Sequence, residues 1–534
     1  MATNISTSVV HWNAGISENF FCDFMASIVV FLVALPLCMG IAIASGLPPA
    51  LGLITGIVGG LVVGAIAGSP LQVSGPAVGL TVLVWEMVSQ YGIGMLGAIV
   101  LMAGLIQIGM GALKAGQWFR AISPAVIQGM LAGIGVLIIG SQIHVMVDDG
   151  PKGSGLANLL SIPEAVWKGL TPMDSSSHHL AAIIGVIAIA IIFSWSYAPK
   201  KLKIVPAPLI AVVAAAVIAA IFRMPVKYVQ VADLAGAVSF PTMEALGNLL
   251  NPAVIGQALA LCFIASAETL LCATAVDRLH QGPRTQYNRE LFAQGVGNSI
   301  CGLLGALPMT GVIVRSTANI EAGGRTRVSA ILHGVWILGL VALAPAVLNM
   351  IPTTALAAIL VYTGFKLVSP KAVRELRPYG KLEVGIYLAT VIGIVATNLL
   401  VGVIIGLFLA LLKLLYTFAH LEVRLRTEPA ARTTSVILNG SATFVKLPQL
   451  AAALESIPAG MSVKFDIDHL NYIDHACLDL IANWRKQHLA REGQVELPWD
   501  DLQRRYHERN SAVLTDRART QSAPPNVIPA RGSG

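Results

Sequence analysis

Glu268 and Arg315 are charged residues in stretches with almost no other charge. Glu268 sits inside a long apolar segment, and Arg315 opens another directly after the hinge-like Leu307-Pro308-Met309-Thr310-Gly311. A charge left facing lipid costs roughly 2.5 to 3.5 kcal/mol on insertion scales, so an acid and a base at membrane depth belong in a protein interior that handles something charged. The chemistry implied is the passage of an ion or polar solute.

Two short segments would surround that passage. Residues 68–81, GSPLQVSGPAVGLT, and 305–318, GALPMTGVIVRSTA, each run through a proline and a hydroxyl-glycine pair (Ser74-Gly75 and Thr310-Gly311) into a brief helical pattern. The two pairs lie about 236 positions apart, and the same offset carries Pro36 of the first apolar span close to Cys272, four residues after Glu268. An inverted repeat of roughly seven plus seven spans leaves this kind of internal symmetry. Non-helical backbone at bilayer depth is tolerated only inside protein or along a cavity, so both segments are expected to line one. If their helix N-termini meet at the midplane, unpaired N–H groups and about half a positive charge from each would hold an anion. Ser74, Gly75, Ala77 and Val78 would lie on one side, and Val312, Ile313, Val314, Arg315 and Ser316 on the other. The Arg315 guanidinium biases the site further toward an anion. Arg315 as a buried strut paired with Glu268 is a second, compatible reading.

Composition supplies the scaffold these residues need. Of 534 residues 55% are hydrophobic and 12% charged, and mean hydropathy is +0.73, whereas soluble domains carry about 25% charged residues. Apolar spans lie near 23–43, 48–67, 94–113, 124–146, 179–197, 204–222, 251–273, 290–306, 329–350 and 383–420, the last dividing into two around Thr397-Asn398. Shorter segments at 76–90, 314–324 and 353–366 bring the expected total to about fourteen, each full span needing about 20 residues. The fold class expected is an all-α polytopic membrane protein. No cleavable leader precedes the first span, so residues 1–20 read as a polar lead-in.

With the N-terminus inside, inner connections hold Lys114, Arg120, Lys200, Lys201, Lys203, Arg278, Arg284, Arg289, Arg325, Arg327, Lys366, Lys371, Arg374, Arg377 and Lys381. Outer connections are poorer in cations, which places both termini in the cytoplasm. The net charge of +7 therefore needs no nucleic-acid partner. Six cysteines show no ligand or disulfide spacing and read as core residues, and His178 and His179 read as part of a solvated outer loop. Asp277, Arg278, Asn288, Arg289 and Glu290 are expected to cap helices or pair across a cytoplasmic loop. Glu86 is the only well-buried acid expected besides Glu268, too few for a membrane enzyme's cluster, and no phosphate-binding G-x-x-x-x-G-K-[ST] loop is present. A carrier, a channel and, less favoured, a membrane enzyme remain.

Beyond Ala419 the pattern changes to strands at 434–445, 461–468 and 494–498 and helices at 447–456 and 475–491, a small α/β unit. The polar, proline-rich end is expected to be disordered.

Several long motifs resemble the SulP family of anion transporters, bacterial relatives of the animal sulfate transporter and prestin family. They are AETLLCATAVDRL, NRELFAQGVGN and GLLGALPMTGVIVRSTANIEAGGRTRVSAILHG, with LVALPLCMGIAIASGLPPALGL and GSPLQVSGPAVGLTVL in the first quarter. The resemblance covers about residues 15–425. It implies fourteen spans in two intertwined seven-span inverted repeats, forming a core and a gate domain. It also implies a secondary active transporter in the bacterial cytoplasmic membrane and a homodimer. On this likeness the anion, bicarbonate or sulfate with dicarboxylates as a further alternative, is held by Gly75, Pro76 and Ala77 of span three and Val314, Arg315 and Ser316 of span ten. Ala34 and Ile41 of span one face it. Span eight contributes Glu268, with Cys272 where sodium-coupled bicarbonate carriers have threonine; Thr310 completes the coupling-ion candidates. A thiol is a poor ligand for hard sodium, so a proton is the first choice of coupling ion, sodium the second, and no other cofactor or metal is expected. The stretch VKFDIDHLNYIDHACLDLIANWRKQHLAREGQVEL resembles a STAS domain, with His475 after Asp474 where antagonists carry a phosphorylatable hydroxyl. The domains expected are 1–20 lead-in, 21–422 transport domain, 432–508 STAS-like domain and 509–534 tail.

Overall fold

The apolar runs fold into helices whose ends are set by local chemistry. In the computed structural model, residues 16–121, 123–152, 154–171, 177–199, 205–231, 234–418, 420–428 and 432–502 are described. The expected lead-in falls mostly, and the expected tail wholly, outside them. The first half contains α1 (Ile16–Ala44), α2 (Pro49–Val58, continued through a π-helical turn Gly59–Val63), α3 (Thr81–Tyr91), α4 (Ile93–Ala112), α5 (Pro124–Met146), α6 (Ser177–Ser194) and α7 (Ala207–Ile221). The second contains α8 (Pro252–Leu279), α9 (Tyr287–Leu303), α10 (Ile313–Glu321), α11 (Val328–Leu343), α12 (Thr353–Leu367), α13 (Lys381–Ala396) and α14 (Leu399–Phe418). Eight helices among the described residues are long and apolar enough to cross a membrane, and α7 and α11 are shorter apolar helices. Ser123 and Asn251 cap α5 and α8, each followed by a proline already suited to a helix start. The long run at 383–420 breaks at Thr397-Asn398, where Asn398 accepts a hydrogen bond from the Val401 amide.

The helices form a core of α1–α4 and α8–α11 and a gate built on α5–α7 and α12–α14. The α4–α9 seam depends on small residues: a Cβ on Gly104 would stand 2.5 Å from the Ser299 nitrogen, and Gly295 faces the Gly104 carbonyl. Membrane helices gain little from burying apolar surface against one another, so close approach of this kind is a main source of cohesion.

Between α2 and α3, and between α9 and α10, the chain is extended. There β1 (Ser74–Pro76) pairs antiparallel with β2 (Met309–Gly311), in the register Ser74 with Gly311, Gly75 with Thr310 and Pro76 with Met309. Each residue of one hydroxyl-glycine pair thus faces the counterpart of its neighbour, as two-fold-related repeats require. The helices α3 and α10 leave this crossing with their N-termini together.

The chain divides into two compact units, Met1–Leu407 and Phe408–Gly534. In the second, β3 (Leu421–Glu428) pairs antiparallel with β4 (Thr433–Ala442), which pairs parallel with both β5 (Ser462–Asp466) and β6 (Leu470–Ile473). A last strand, β7 (Gln494–Glu496), lies parallel to β5. Helices α15 (Leu447–Glu455) and α16 (His475–Leu489) complete a core around Val436, Leu438, Phe465, Cys477 and Ile481. Asp474 caps α16 by accepting from the Cys477 amide at 2.8 Å. His178 and His179 open α6 and bond the Val147 and Gly169 carbonyls through Nδ1, so they are part of a packed helix start rather than a solvated loop.

Candidate functional site

The crossing of β1 and β2 is held by side chains from neighbouring helices. The Val312 amide donates to the Val73 carbonyl at 2.9 Å, and the Val73 amide donates to Ser316 Oγ at 3.0 Å. The Ser316 hydroxyl in turn donates to the Val312 carbonyl at 2.8 Å. Thr269 Oγ1 of α8 accepts from the Gly311 amide at 3.2 Å. Neither half-helix is capped by a side chain at Ala77 or Val312. The first N–H groups after Val312 therefore keep the partial positive charge that a cap would satisfy, whereas in the other half-helix the Gly79 amide meets a carboxylate from α8.

Arg315 is fully buried at the start of α10. Its Nη2 lies 3.5 Å from the Pro76 carbonyl, a Cβ on Gly75 would strike the guanidinium, and Cys38 of α1 sits beside it. Its Nε and Nη1 are buried without a hydrogen-bond partner. A buried guanidinium without a carboxylate is costly, and an anion placed against it would supply the missing acceptors. Of the other expected anion-site residues, Ala34, Ile41, Gly75, Pro76 and Ala77 are buried, while Val314 is 39% exposed beside Ile313 at 38%. Ser316 is also buried, with its hydroxyl committed to the backbone that joins β1 to α10.

Glu268 does not pair with Arg315, which corrects the strut reading. It is half-buried, and its carboxylate faces the Gly79 amide and the Thr310 hydroxyl. A Cβ on Gly79 would stand 2.6 Å from Oε2, and Oε2 itself has no partner. Glu268 and Thr310 thus come together. Cys272 turns instead toward Ser316, with its sulfur 3.8 Å from the hydroxyl oxygen.

The sequence reading missed Gln294 and Asn298 and gave Glu290 only a capping or loop-pairing role, yet these three clamp the crossing. Glu290, Gln294 and Asn298 form a buried polar stripe at four-residue spacing along α9. Glu290 accepts from the Gly68 and Ser69 amides, both at 2.9 Å, and from Gln72 and Gln294. Gln294 donates to Ser74 Oγ at 2.6 Å. Asn298 donates to the Met309 carbonyl and accepts from the Met309 amide at 2.7 Å. One helix face therefore holds both strands. Glu290, Asp23, Asp148 and Asp277 are buried, whereas Glu86 is only half-buried, so Glu86 is not the sole further buried acid. Asp277 does serve the α8–α9 loop, accepting from Thr285 Oγ1 at 2.8 Å.

The chain as a whole has counterparts among known proteins. Residues 20–390 match the Sulfate permease family. The chain belongs to that family. A putative sulfate transporter YvdB of Bacillus subtilis is 28% identical over 74% of this chain and 73% of the relative. The bicarbonate transporter BicA of Picosynechococcus is 26% identical over 74% of this chain and 70% of the relative. In structure, the transmembrane domain of a cyanobacterium BicA superimposes with a TM-score of 0.61 at 23% identity, covering 73% of this chain and 97% of that one. The murine anion transporter Slc26a9 in the inward-facing state does so with a TM-score of 0.73 at 14% identity, covering 92% of this chain and 88% of that one. This member of the sulfate permease family is therefore a multi-pass membrane protein with the fold of anion transporters.

Proposed function

We propose that this protein is a secondary active transporter that moves a small inorganic anion, bicarbonate or sulfate, by alternating access across the bacterial cytoplasmic membrane, coupled to protons. The observation that carries the reading is Arg315, buried where two helix N-termini meet, neither capped by its own N-cap side chain, with two of its nitrogens lacking acceptors. Dipoles and guanidinium act together on one negative charge, and the glycine at position 75 lets the guanidinium lie against the backbone there. The names of the relatives, a putative sulfate transporter and a bicarbonate transporter, support both anions.

Glu268 is the proposed proton carrier. An ionised carboxylate is costly in a moving, dehydrated cavity and a neutral one is not, so its protonation would accompany movement of the core. Sodium is the second reading, favoured by the meeting of Glu268 and Thr310, two oxygen-bearing side chains. The STAS-like unit is proposed as a cytoplasmic assembly module of a homodimer, with both chain termini inside. The test is uptake of labelled sulfate and bicarbonate into proteoliposomes. Saturating, trans-stimulated flux supports a carrier, non-saturating flux supports a channel, and no flux of either anion contradicts the reading.

A further inference from the structure

His333, on α11, is fully buried and carries a nitrogen without a partner. Its Nδ1 faces the Ala330 carbonyl oxygen. A carbonyl can only accept, so Nδ1 carries the hydrogen and Nε2 is a bare lone pair. The ring lies along the π-helical turn of α2: a Cβ on Gly60 would stand 2.9 Å from His333 Cε1, and one on Gly59 would stand 2.5 Å from the Ser74 carbonyl oxygen. On the far side of that strand Gly75 meets the Arg315 guanidinium. Glycines alone thin the wall between imidazole and guanidinium, and Arg315 is near enough to act electrostatically on the ring. Turns of this π type are frequent at functional sites.

The elements packed against α11 bring few other ionisable groups. On α1, Asp23 accepts from the Arg325 and Thr326 amides, Cys38 lies over Gly56, and Cys22 is near the other end of the helix. The α2 helix carries no titratable residue. Arg327, just before α11, donates to the Ala65 carbonyl. Arg315 is thus the charge that His333 answers to.

We propose that His333 binds a proton in step with anion occupancy at Arg315. With the site empty, burial of the ring and, after it, repulsion by the guanidinium both oppose a second cation there; an anion seated against Arg315 removes the repulsion, and Nε2 takes up a proton as the anion enters. No other bond forms or breaks, and the proton leaves when the anion does. Linkage makes the effect reciprocal, so protonation raises anion affinity by the same factor that the anion raises proton affinity. This rests on the anion reading above and adds a second proton-binding group to Glu268.

The test is equilibrium binding of sulfate and of chloride, neither of which titrates between about pH 5 and 8, to the full-length protein, its His333→Asn and Glu268→Gln variants, and Arg315→Ala. Asparagine keeps a donor toward the Ala330 carbonyl but cannot titrate. In the unmodified protein affinity should rise as pH falls, by at most about tenfold per unit for one linked proton. That rise should vanish in His333→Asn and persist in Glu268→Gln. A pH-independent affinity in the unmodified protein, or a rise that survives in His333→Asn, overturns the proposal while leaving the anion site standing. Absence of binding by either anion, or undiminished binding in Arg315→Ala, overturns the anion reading and this proposal with it. If His333→Asn does not fold, proton uptake on adding sulfate decides: uptake that persists in Glu268→Gln supports His333, and its absence there overturns the assignment.

Discussion

Arg315 lies against Gly75, and its guanidinium occupies the place a β-carbon would take. Glu268 makes the same kind of approach to Gly79, four residues further along the chain. A cation and an acid thus sit on successive glycines, one in β1 and one in the turn that leads into α3, without pairing with each other. That separation leaves Arg315 free to bind an anion and Glu268 free to change its protonation.

Because Arg315 has no carboxylate partner, Arg315→Ala strands no buried charge. Hydrogen bonds to charged groups are worth about 1.5 to 3 kcal/mol, so anion affinity should fall roughly 10- to 100-fold with little change in the unfolding midpoint. Titration of sulfate binding beside a thermal melt in detergent checks both halves. A stable variant with normal affinity would remove Arg315 from the site.

The two glycines should give separable defects. Gly79→Ala would place a carbon 2.6 Å from Glu268 Oε2, displacing the carboxylate, so pH-driven accumulation should fail while anion exchange persists. Gly75→Ala pushes on Arg315 instead and should raise the half-saturating anion concentration. Overpacking of this kind costs about 1 to 3 kcal/mol, which leaves room for a folded protein in each case. Exchange and gradient-driven uptake measured on both variants distinguish the two effects.

Glu290 is predicted to matter for stability more than for binding. Glu290→Ala leaves the Gly68 and Ser69 amides and Gln72 without their acceptor, and each such loss costs about 1 to 3 kcal/mol, while Gln294 keeps its bond to Ser74. The unfolding midpoint should drop sharply, and Glu290→Gln, which keeps one acceptor oxygen, should lie between that variant and the unmodified protein.

The spans were legible because twenty apolar residues in a row have few alternatives to a membrane helix, and Thr397-Asn398 marked the one break inside a longer run. The counterpart relation of Ser74-Gly75 and Thr310-Gly311 was also readable from their spacing. Their pairing as strands was not, since three-residue strands carry no periodicity. The stripe Glu290, Gln294, Asn298 was visible at four-residue spacing, but Glu290 stands next to Arg289 near a loop, where capping or pairing was the expected role. In the second unit, Leu421, Val423 and Leu425 alternate with Glu422, Arg424 and Arg426, a strand signal in a stretch that falls between the last expected span and the first expected strand. The four-residue β6 gave no pattern of its own. Cys272 was grouped with Glu268 by the resemblance to sodium-coupled bicarbonate carriers, whereas contact with Ser316 on another helix decides where its sulfur points.

Cys477 gives the second unit a pH limit. Burial first, then its hydrogen bond and charge interaction with Asp474, push the thiol from an ordinary 9.0 up to about 12. The folded unit holds this proton more tightly than the unfolded chain does. Its contribution is therefore fully present below about pH 9 and is lost as pH rises from there toward 12. Hydrogen exchange in peptides covering 461–489 should show steady protection from neutral pH to about 9 and declining protection above, after correction for intrinsic exchange, and Cys477→Ala should flatten that decline.

Proton coupling of anion movement is tested most directly by sulfate accumulation in proteoliposomes under an imposed pH gradient and, separately, an imposed sodium gradient, for the unmodified protein and Glu268→Gln. The predicted result is accumulation driven by the pH gradient in the unmodified protein. Glu268→Gln should exchange sulfate across the membrane but fail to concentrate it. Accumulation driven by sodium and indifferent to pH, or undiminished pH-driven accumulation by Glu268→Gln, would contradict the role given to Glu268.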